Sequence, residues 1–515
     1  MAIRHFYCTQ AEIAPMTIQN SAAGNWLTAP LVAVLFLWAL LVVLLGMPTG
    51  IADDWNGWRQ ADTQTIALNY AEHGVDLLHP RINWGGDTEG YVETELQLYA
   101  ALLAPILRLT GDVAWPGRSI SLIAVIITLL LCFRLIWQRF GPVAAWLSLA
   151  FLLSQRGMVY LASYIQPDAL SLMFYMAGLA AFLRYADSGS NPALLMTVVM
   201  TTMAALIKPN ALNLGIFQFG LLALTQRERL FGWRPWLAWT TILVLVAAYY
   251  LHARQLYLDY GNTFGIASGG DSKFPHIADL FKPGLYLILL KFSLHWGVGL
   301  PGILAGLWLL WRRKLDGMLL ALIAANIAVL LVSLRYTTEP YGSHYYRFSM
   351  ILGAFLIAAA VAATPGLRSA AGSRAGRVMV TLVGVLLLGW HLVARDTLEA
   401  PSHEVQIAAD LRPVIPPGSL LIIRSPAYRW DARWQTVNNF EDPRTLYLLK
   451  TRGWVIARDD AGEVPVSELA DRAAFYVEPL PAMNDAALSN WLANNAMLIH
   501  DGAHGRAWQL RREGG

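Results

Sequence analysis

Long apolar segments recur along most of the chain, and short polar connections separate them. A helix that spans a bilayer needs about 20 mostly apolar residues, and a helix that is apolar on every face is typical of a buried or membrane-spanning segment. Eleven segments approach this description, at 28–48, 116–137, 142–157, 169–186, 192–207, 210–226, 235–252, 296–312, 316–334, 348–365 and 377–395. The pattern therefore predicts an α-helical polytopic membrane protein with about eleven transmembrane helices.

The pattern changes after the last of these segments, where short apolar stretches alternate with polar helical ones. Five stretches are typical of strands, namely SLLIIRS, WVIAR, AFYVEP, NAMLIHD and RAWQLRR. DPRTLYLLKTRG and VSELADRA favour helices; in the first, Asp442 fits an N-cap, Pro443 the first turn and Gly453 the end. We therefore predict a transmembrane domain over 1–397 and a small α/β domain over 398–515.

The composition agrees with a membrane location. The chain is 56% hydrophobic and 14% charged, whereas soluble domains average about 25% charged residues. Its 20 tryptophans and 20 tyrosines are enough to line two membrane–water interfaces. The formal net charge is only +3, which gives no reason to expect a nucleic-acid partner.

Basic residues mark every second connection, as expected when cytoplasmic ends carry lysine and arginine. With the N-terminus inside, the cytoplasmic connections hold Arg134, Arg139, Arg184, Arg227, Arg229, Arg234, Arg312, Arg313, Lys314, Arg368, Arg374 and Arg377. The connections 49–115, 157–168, 253–295 and 335–347 then lie on the outer side. An odd number of spans places the C-terminal domain on that side as well.

The outer segment 50–115 gathers many charges beside a membrane span. TQTIALNYAEHG has one apolar face and a terminal glycine, typical of a short helix, and ETELQLYAALLAPILRLTG predicts a second, interfacial helix. We expect these helices to frame a groove lined by Asp53, Asp54, Asp62, Glu93 and Glu95. The alternative interpretation is a solvated loop, in which carboxylates only face water.

Other outer positions carry charges that a simple loop does not require. Asp168 follows Pro167 at the start of a span, where a helix-capping role is an equally good explanation. Lys208 lies between two spans on the outer side, and Arg347 lies at the entry to another. Both positions oppose the positive-inside rule, by which lysine and arginine favour the cytoplasmic side. A charged residue at membrane depth is by default a candidate for a functional role. The tyrosines beside Arg347 are also typical of an aromatic belt.

These residue types fit the handling of a phosphate and a sugar. Arg59, Lys208 and Arg347 are cations that can hold a phosphate group, and arginine offers a fork that matches phosphate oxygens. A nearby carboxylate can act as a general base on a hydroxyl group. Aromatic rings present apolar planes suited to sugar faces, and the candidates are Trp58, Trp84, Tyr91 and Tyr99.

Five motifs in order, GWRQADTQTIALNYAEHG, YVETELQLY, QPDAL, KPN and HYYR, resemble the bacterial branch of the GT-C glycosyltransferases. This branch includes relatives of protein O-mannosyltransferases and of the aminoarabinose transferase that modifies lipid A (glycosyltransferase family 39). The resemblance covers nearly the whole chain, and W-R-Q-x-D-T and E-x-x-L-Y are its most specific parts. It implies a GT-C fold in a bacterial inner membrane. It also implies a polyprenyl-phosphate donor, a hexose or pentose, and inverting transfer to a lipid, glycan or protein hydroxyl on the periplasmic face.

The resemblance also implies roles for particular residues. The general base is Asp62, in the more specific motif, or else Asp54. The chain departs from the Asp-Glu pair of the mannosyltransferases, and it lacks the proline of the usual Glu-x-Pro-Leu-Tyr element. A divalent ion such as Mg²⁺ or Mn²⁺ suits oxygen ligands, with Asp54 and Glu95 as candidates, but no spacing demands one. The implied substrate-binding residues are Arg59, Gln60, Glu93, Glu95, Asp168, Lys208, His344, Tyr345, Tyr346 and Arg347.

Three other functions compete with this one. A polymerase or ligase for lipid-linked glycans shares the donor chemistry, and differs in that both substrates are lipid-linked. A glycan transporter predicts charges within the spans and two similar halves, whereas here the charges gather on one face. A structural protein whose outer domain docks a partner predicts that loss of the Asp62 carboxylate is harmless.

Overall fold

The computed structural model describes residues 27–46, 50–51, 57–266, 274–366, 402–460, 463–480 and 485–511. Up to residue 366 these form a helical domain, and from residue 402 they form an α/β domain packed against it. The predicted boundary at 397/398, the predicted span at 377–395 and Asp53 and Asp54 lie outside the described residues.

The helical domain follows the predicted apolar segments closely. In chain order its helices are α1 (Ala29–Leu41), α2 (Gly57–His73), α3 (Leu98–Thr110), α4 (Trp115–Phe140), α5 (Pro142–Ser154), α6 (Arg156–Ser163), α7 (Asp168–Ser188), α8 (Asn191–Ile207), α9 (Asn213–Thr225), α10 (Arg227–Leu230), α11 (Trp233–Tyr260), α12 (Pro283–Trp296), α13 (Gly299–Trp311), α14 (Gly317–Val332), α15 (Leu334–Thr337) and α16 (Arg347–Ala362). Each of the first ten predicted segments overlaps one of these helices, although α1 ends at Leu41, before the predicted 48, and α11 continues to Tyr260, past the predicted 252. The helical membrane architecture is confirmed.

Four helices in the described ranges are long and apolar enough to cross a membrane: α4, α7, α11 and the segment Gly342–Ala362 that contains α16. Helices α12 and α13 meet the same criterion only as a pair, and they are bent by 109° at their junction. Shorter apolar helices include α1, α3, α5, α8 and α14. The count of eleven spans therefore stays a prediction.

Helix α12 lies in a region where the apolar pattern predicted no helix. It has only 14 residues and includes Lys291 and His295, so it falls short of the length expected for a span. The bend after it lies at Gly297 and Gly299, and Gly299 has a φ of +67°. A positive φ is readily adopted by glycine and interrupts a helix there.

The C-terminal domain has the predicted α/β composition. Its elements are α17 (His403–Leu411), β1 (Leu420–Arg424), β2 (Trp430–Asp431), β3 (Thr436–Val437), α18 (Arg444–Leu449), β4 (Arg452–Ile456), α19 (Glu463–Leu469), β5 (Phe475–Pro479), α20 (Ala486–Asn495), β6 (Ala496–Gly502) and β7 (Gly505–Leu510). The main sheet has the order β4-β1-β5-β7-β6. β1 runs parallel to β4 and β5, and β7 runs antiparallel to β5 and β6. All five predicted strands are present.

The end of α18 differs from the prediction. The helix ends at Leu449, and Lys450 adopts the left-handed conformation with a φ of +54°. Gly453 instead lies within β4, opposite Leu421 of β1. The start also differs, because the N-cap is Pro443 and not Asp442. The Asp442 carboxylate accepts a hydrogen bond from the backbone N–H of Arg444 at 3.0 Å.

The two domains meet along α2. Helix α18 packs on α2, and the Tyr447 hydroxyl donates to Asp112 at 2.8 Å. Gln64 of α2 donates to the same carboxylate at 3.1 Å. Helix α2 is therefore enclosed between the other helices of its domain and the C-terminal domain.

Candidate active site

A cavity of about 800 Å³ lies where the first outer segment, the α8–α9 connection, α14 and the C-terminal domain meet. Six of the predicted site residues line it: Arg59, Asp62, Glu95, Lys208, His344 and Tyr345. Apolar side chains from α9 and α14 form another part of the wall, including Ile216, Val329 and Val332. The cavity thus combines a charged end with an apolar wall.

Helix α2 places two charged residues at this cavity. Ile66, Ala67 and Tyr70 are buried on its apolar face, and Gly74 ends it with a φ of +94°. Residues three positions apart on a helix are neighbours on the same face. Arg59 and Asp62 of this helix both line the cavity.

The Asp168 carboxylate is the centre of a group of cations. It is fully buried at the start of α7, and its oxygens lie 3.0 Å from Arg347, 3.3 Å from Arg59 and 3.9 Å from Lys208. The N-cap of α7 is Pro167, and no side chain caps this helix. The capping explanation for Asp168 is therefore wrong, and its carboxylate instead holds three cations together.

Glu95 forms a second ion pair beside this group. The Lys208 ammonium donates to its carboxylate, and Arg59 lies 3.7 Å away. Burial raises the pKa of Glu95, but Lys208 and Arg59 outweigh it, so the pKa is lowered. Burial, with help from Arg59, lowers the pKa of Lys208. With Arg347, three cations face the Glu95 and Asp168 carboxylates, which leaves one positive charge uncompensated.

Asp62 has a different environment. It is only 6% exposed, and the Trp84 indole N–H donates to its Oδ1 at 3.1 Å. No ion pair to Asp62 is present within the described ranges. Burial raises its pKa well above the usual 3.8, and the nearby carboxylates of Asp442 and Glu441 add to the effect. A buried carboxylate without a cation holds its proton more tightly.

The short helical turn Pro340–Tyr346 and the start of α16 bring aromatic and basic groups to the charged end. His344 Nε2 lies 3.0 Å from Arg59 Nη1, and because arginine only donates, this imidazole nitrogen accepts and His344 is neutral. Arg347 donates to the His344 carbonyl at 2.8 Å. The Tyr345 ring lines the cavity and stacks on Tyr336.

Other predicted site residues lie away from the cavity. The Gln60 side chain accepts a hydrogen bond from the backbone N–H of Ile165 at 3.0 Å. Glu93 is fully buried and accepts from the Thr263 hydroxyl. The Tyr346 hydroxyl donates to a backbone carbonyl. These three side chains fasten neighbouring segments to one another.

Of the aromatic residues proposed for sugar faces, Trp58 lines the cavity. The others are used elsewhere: Trp84 donates to Asp62, the Tyr99 hydroxyl donates to a backbone carbonyl at 2.5 Å, and the Tyr91 ring meets Tyr260 edge-on. Aromatic composition alone did not distinguish rings that face a cavity from rings that pack.

The cavity also contains polar residues that the sequence did not single out. Asn210, in the KPN motif, accepts a hydrogen bond from Arg347, so its position beside Lys208 was an available signal. Asp431, Asn438 and Asn439 come from the C-terminal domain and line the opposite wall. Tertiary packing alone brings them there.

The residues present do not fit a metal site. Within the described ranges no group of three or more His, Cys, Asp and Glu side chains has a suitable arrangement. Glu95, a predicted ligand, already pairs with Lys208 and Arg59. A carboxylate compensated by two cations has little remaining charge to attract a divalent ion. The other predicted ligand, Asp54, lies outside the described residues.

The described helical bundle and the α/β domain packed against it have the GT-C fold. Residues 97–252 match the family model for dolichyl-phosphate-mannose-protein mannosyltransferases. No curated protein sequence matches the chain significantly.

Solved structures with this fold cover nearly the whole chain. ArnT from Cupriavidus metallidurans bound to undecaprenyl phosphate is 14% identical, with a TM-score of 0.55 over 95% of this chain and 98% of that chain. The Archaeoglobus fulgidus oligosaccharyltransferase tethered with an acceptor peptide is 11% identical, with a TM-score of 0.54 over 95% and 75% of the two chains. The GT-C fold that the motif resemblance implied is confirmed.

Proposed function

We propose that this protein is a membrane glycosyltransferase that moves a hexose or pentose from a polyprenyl-phosphate donor to an acceptor hydroxyl. The observation that carries the proposal is the pairing, in one cavity, of an uncompensated Asp62 carboxylate with a cluster of cations carrying excess positive charge. The ArnT structure bound to undecaprenyl phosphate supports a donor of this lipid class.

In the proposed reaction Asp62 accepts the proton of the acceptor hydroxyl. The acceptor oxygen forms a bond to the anomeric carbon, on the face opposite the phosphate, and the bond between that carbon and the phosphate oxygen breaks. The electron pair leaves with the polyprenyl phosphate, which gains negative charge. Lys208 and Arg59 neutralise that charge where it develops. The result is inversion at the anomeric carbon.

The raised pKa of Asp62 suits this role, because a general base works best when its pKa approaches the working pH. Asp168 has the opposite role. Its ion pairs with Arg347 and Arg59 keep the cations in position before the substrate arrives, so little reorganisation is needed during reaction. We place this cavity on the periplasmic side of a bacterial inner membrane, as the distribution of basic residues indicates.

A gene-deletion experiment tests this function and names the substrates. Mass spectrometry of envelope lipids and glycans should reveal a product that lacks one hexose or pentose in the deletion strain. The wild-type gene should restore it, and an Asp62→Asn gene expressed at the same level should not. Asp187→Asn, at an exposed pair with Arg139, serves as the control. Full restoration by Asp62→Asn would refute the proposal.

The polymerase or ligase alternative makes a different prediction in the same experiment. The deletion strain would accumulate whole lipid-linked glycans, and no single sugar would be missing from a product. A product that lacks one sugar, together with normal levels of lipid-linked glycans, would support the single-sugar transferase over the polymerase or ligase.

A further inference from the structure

A loop of the first outer segment extends the sheet of the C-terminal domain. The Gly86 N–H donates to the Gly453 carbonyl at 2.8 Å, and the Gly453 N–H donates to the Asn83 carbonyl at 2.9 Å. Gly85 forms an antiparallel bridge with Trp454. Since β4 lies at one end of the five-stranded sheet, residues 83–86 pair with its edge that no other strand of the sheet contacts.

Trp84 lies in the middle of this loop and connects it to the cavity. Its side chain is 6% exposed, its ring meets Phe264 edge-on at 5.7 Å, and its indole N–H donates to Asp62 Oδ1 at 3.1 Å. A residue held at the edge of one domain thus contacts the proposed base on a helix of the other.

Close packing fixes the loop against β4. Gly86 has a φ of +70°, and a Cβ added to it would lie 2.2 Å from the Trp454 ring nitrogen. Any larger residue would therefore force the loop or the Trp454 ring to move, and the positive φ would strain its backbone as well. At the rim of the contact, Arg472 and Asp87 form a two-pronged ion pair. The C-terminal domain therefore helps to set the position of Trp84, together with the Phe264 ring of the helical domain.

We propose that the C-terminal domain orients the base of the transfer reaction: β4 holds the 83–86 loop, and Trp84 in that loop fixes the Asp62 carboxylate. The hydrogen bond occupies Oδ1 and leaves Oδ2 for the proton of the acceptor. Trp84 is then a positioning residue, and the proposal rests on the proposed role of Asp62. Other charged groups that act on Asp62 include Asp442, Glu441 and Arg59.

Infrared titration of the purified full-length protein tests the contact without a substrate. The carboxyl band of Asp62 is the band that Asp62→Asn removes. Trp84→Phe keeps a ring but loses the N–H that stabilises the carboxylate. The band should then titrate about one pH unit or more higher. Trp508→Phe, where the ring packs on Tyr476 within the C-terminal sheet, should leave the titration unchanged. An unchanged titration in Trp84→Phe would overturn the proposal.

A second variant tests the role of the C-terminal domain with Trp84 intact. Gly86→Ala should displace the loop from β4 and shift the Asp62 band in the same direction. Gly74→Ala is the matched control, because Gly74 also has a positive φ but has nothing within 4 Å of an added Cβ. A normal titration in Gly86→Ala would show that the domain does not set the contact. The Gly86→Ala titration also tests the proposal if Trp84→Phe fails to fold.

The same variants in membranes separate this proposal from the proposed function. Trp84→Phe should transfer sugar about tenfold more slowly, since small displacements of a catalytic group are costly. If Asp62→Asn retains full transfer, the role of Asp62 as base is wrong even when the titration shifts. If Asp62→Asn is inactive while Trp84→Phe matches the wild type in rate and titration, only the positioning role is wrong.

Discussion

Two buried carboxylates in the same site have opposite surroundings. Asp168 is fully buried and lies within 4 Å of Arg59, Lys208 and Arg347. Asp62 is almost as buried, but in the described part of the chain it receives one indole N–H and forms no ion pair. Similar burial therefore produces a carboxylate held in its charged form by cations in one case and a carboxylate with a raised pKa in the other.

The placement of cations therefore gives one carboxylate a structural role and leaves the other available for the reaction. A carboxylate surrounded by cations assembles the site but is a poor proton acceptor, because the cations stabilise its charge. A carboxylate without a cation can take a proton, but its burial costs stability. The following variants test this division between Asp168 and Asp62.

The largest expected effect on activity comes from Asp62→Asn. The amide cannot accept the proton, so the transfer rate should fall about 10²- to 10⁴-fold. Stability at neutral pH should stay equal or rise, because a group with a raised folded-state pKa destabilises the fold as pH increases through that pKa. Rate assays in membranes and thermal unfolding in detergent measure the two effects. If Asp62→Asn is less stable than the wild type but fully active, Asp62 has a structural role and is not the base.

The largest expected effect on stability comes from Asp168→Asn. It leaves Arg347 and Arg59 buried without their carboxylate, which should cost about 3–5 kcal/mol. Thermal unfolding should show this loss. Asp187→Asn removes an exposed pair with Arg139 and should cost about 1 kcal/mol or less. Equal stability of these two variants would show that Asp168 does not hold the site together.

Lys208→Gln should weaken transfer without removing the base. The loss of one charged contact to the leaving phosphate should cost about 1.5–3 kcal/mol, or roughly 10- to 100-fold in rate. Initial rates at saturating donor measure this effect. Lys314→Gln, at an exposed position, is the control. An unchanged rate in Lys208→Gln would exclude this residue from the phosphate site.

The pH dependence of the wild-type rate should report on Asp62. A base with a raised pKa is protonated at a higher pH than an ordinary aspartate, so the rate should fall as pH drops through that raised value. Below it the decline should be about tenfold per pH unit. A rate that stays constant down to the ordinary aspartate pKa of 3.8 would show that another group is the base.

The smallest effect is expected for Glu93→Gln. The amide oxygen can still accept from the Thr263 hydroxyl, so stability should change by about 1 kcal/mol or less, and the rate should not change. Unfolding and transfer measured on the same preparation test both points. A tenfold loss of rate would return Glu93 to the list of substrate-binding residues.

Much of this fold could be predicted because long apolar segments leave few alternatives in a membrane. The C-terminal strands were also predictable from short apolar runs, such as LLIIR in β1. Lys208 and Arg347 stood out because they lie at positions predicted to be on the outer side, where cations oppose the positive-inside rule. The sequence carried local signals for all of these features.

Other features depend on contacts between distant segments. Trp84 was interpreted as a ring for a sugar face, yet it donates to Asp62, 22 residues away. Asn438 and Asn439 reach the cavity only because the C-terminal domain folds back over it. Glu93 and Glu95 are two residues apart, and only Glu95 faces the cavity. Composition and spacing could not distinguish such neighbours.

The pairing of residues 83–86 with β4 has a consequence for handling the C-terminal domain alone. Unpaired edge strands promote association between chains. At the other end of the sheet, β6 carries exposed Met497 and Leu498. An excised fragment from residue 402 onward would lose the cover on β4 and present bare backbone at both ends. We expect such a fragment to form dimers or aggregates, and fusing the 83–86 peptide to it should favour a monomer.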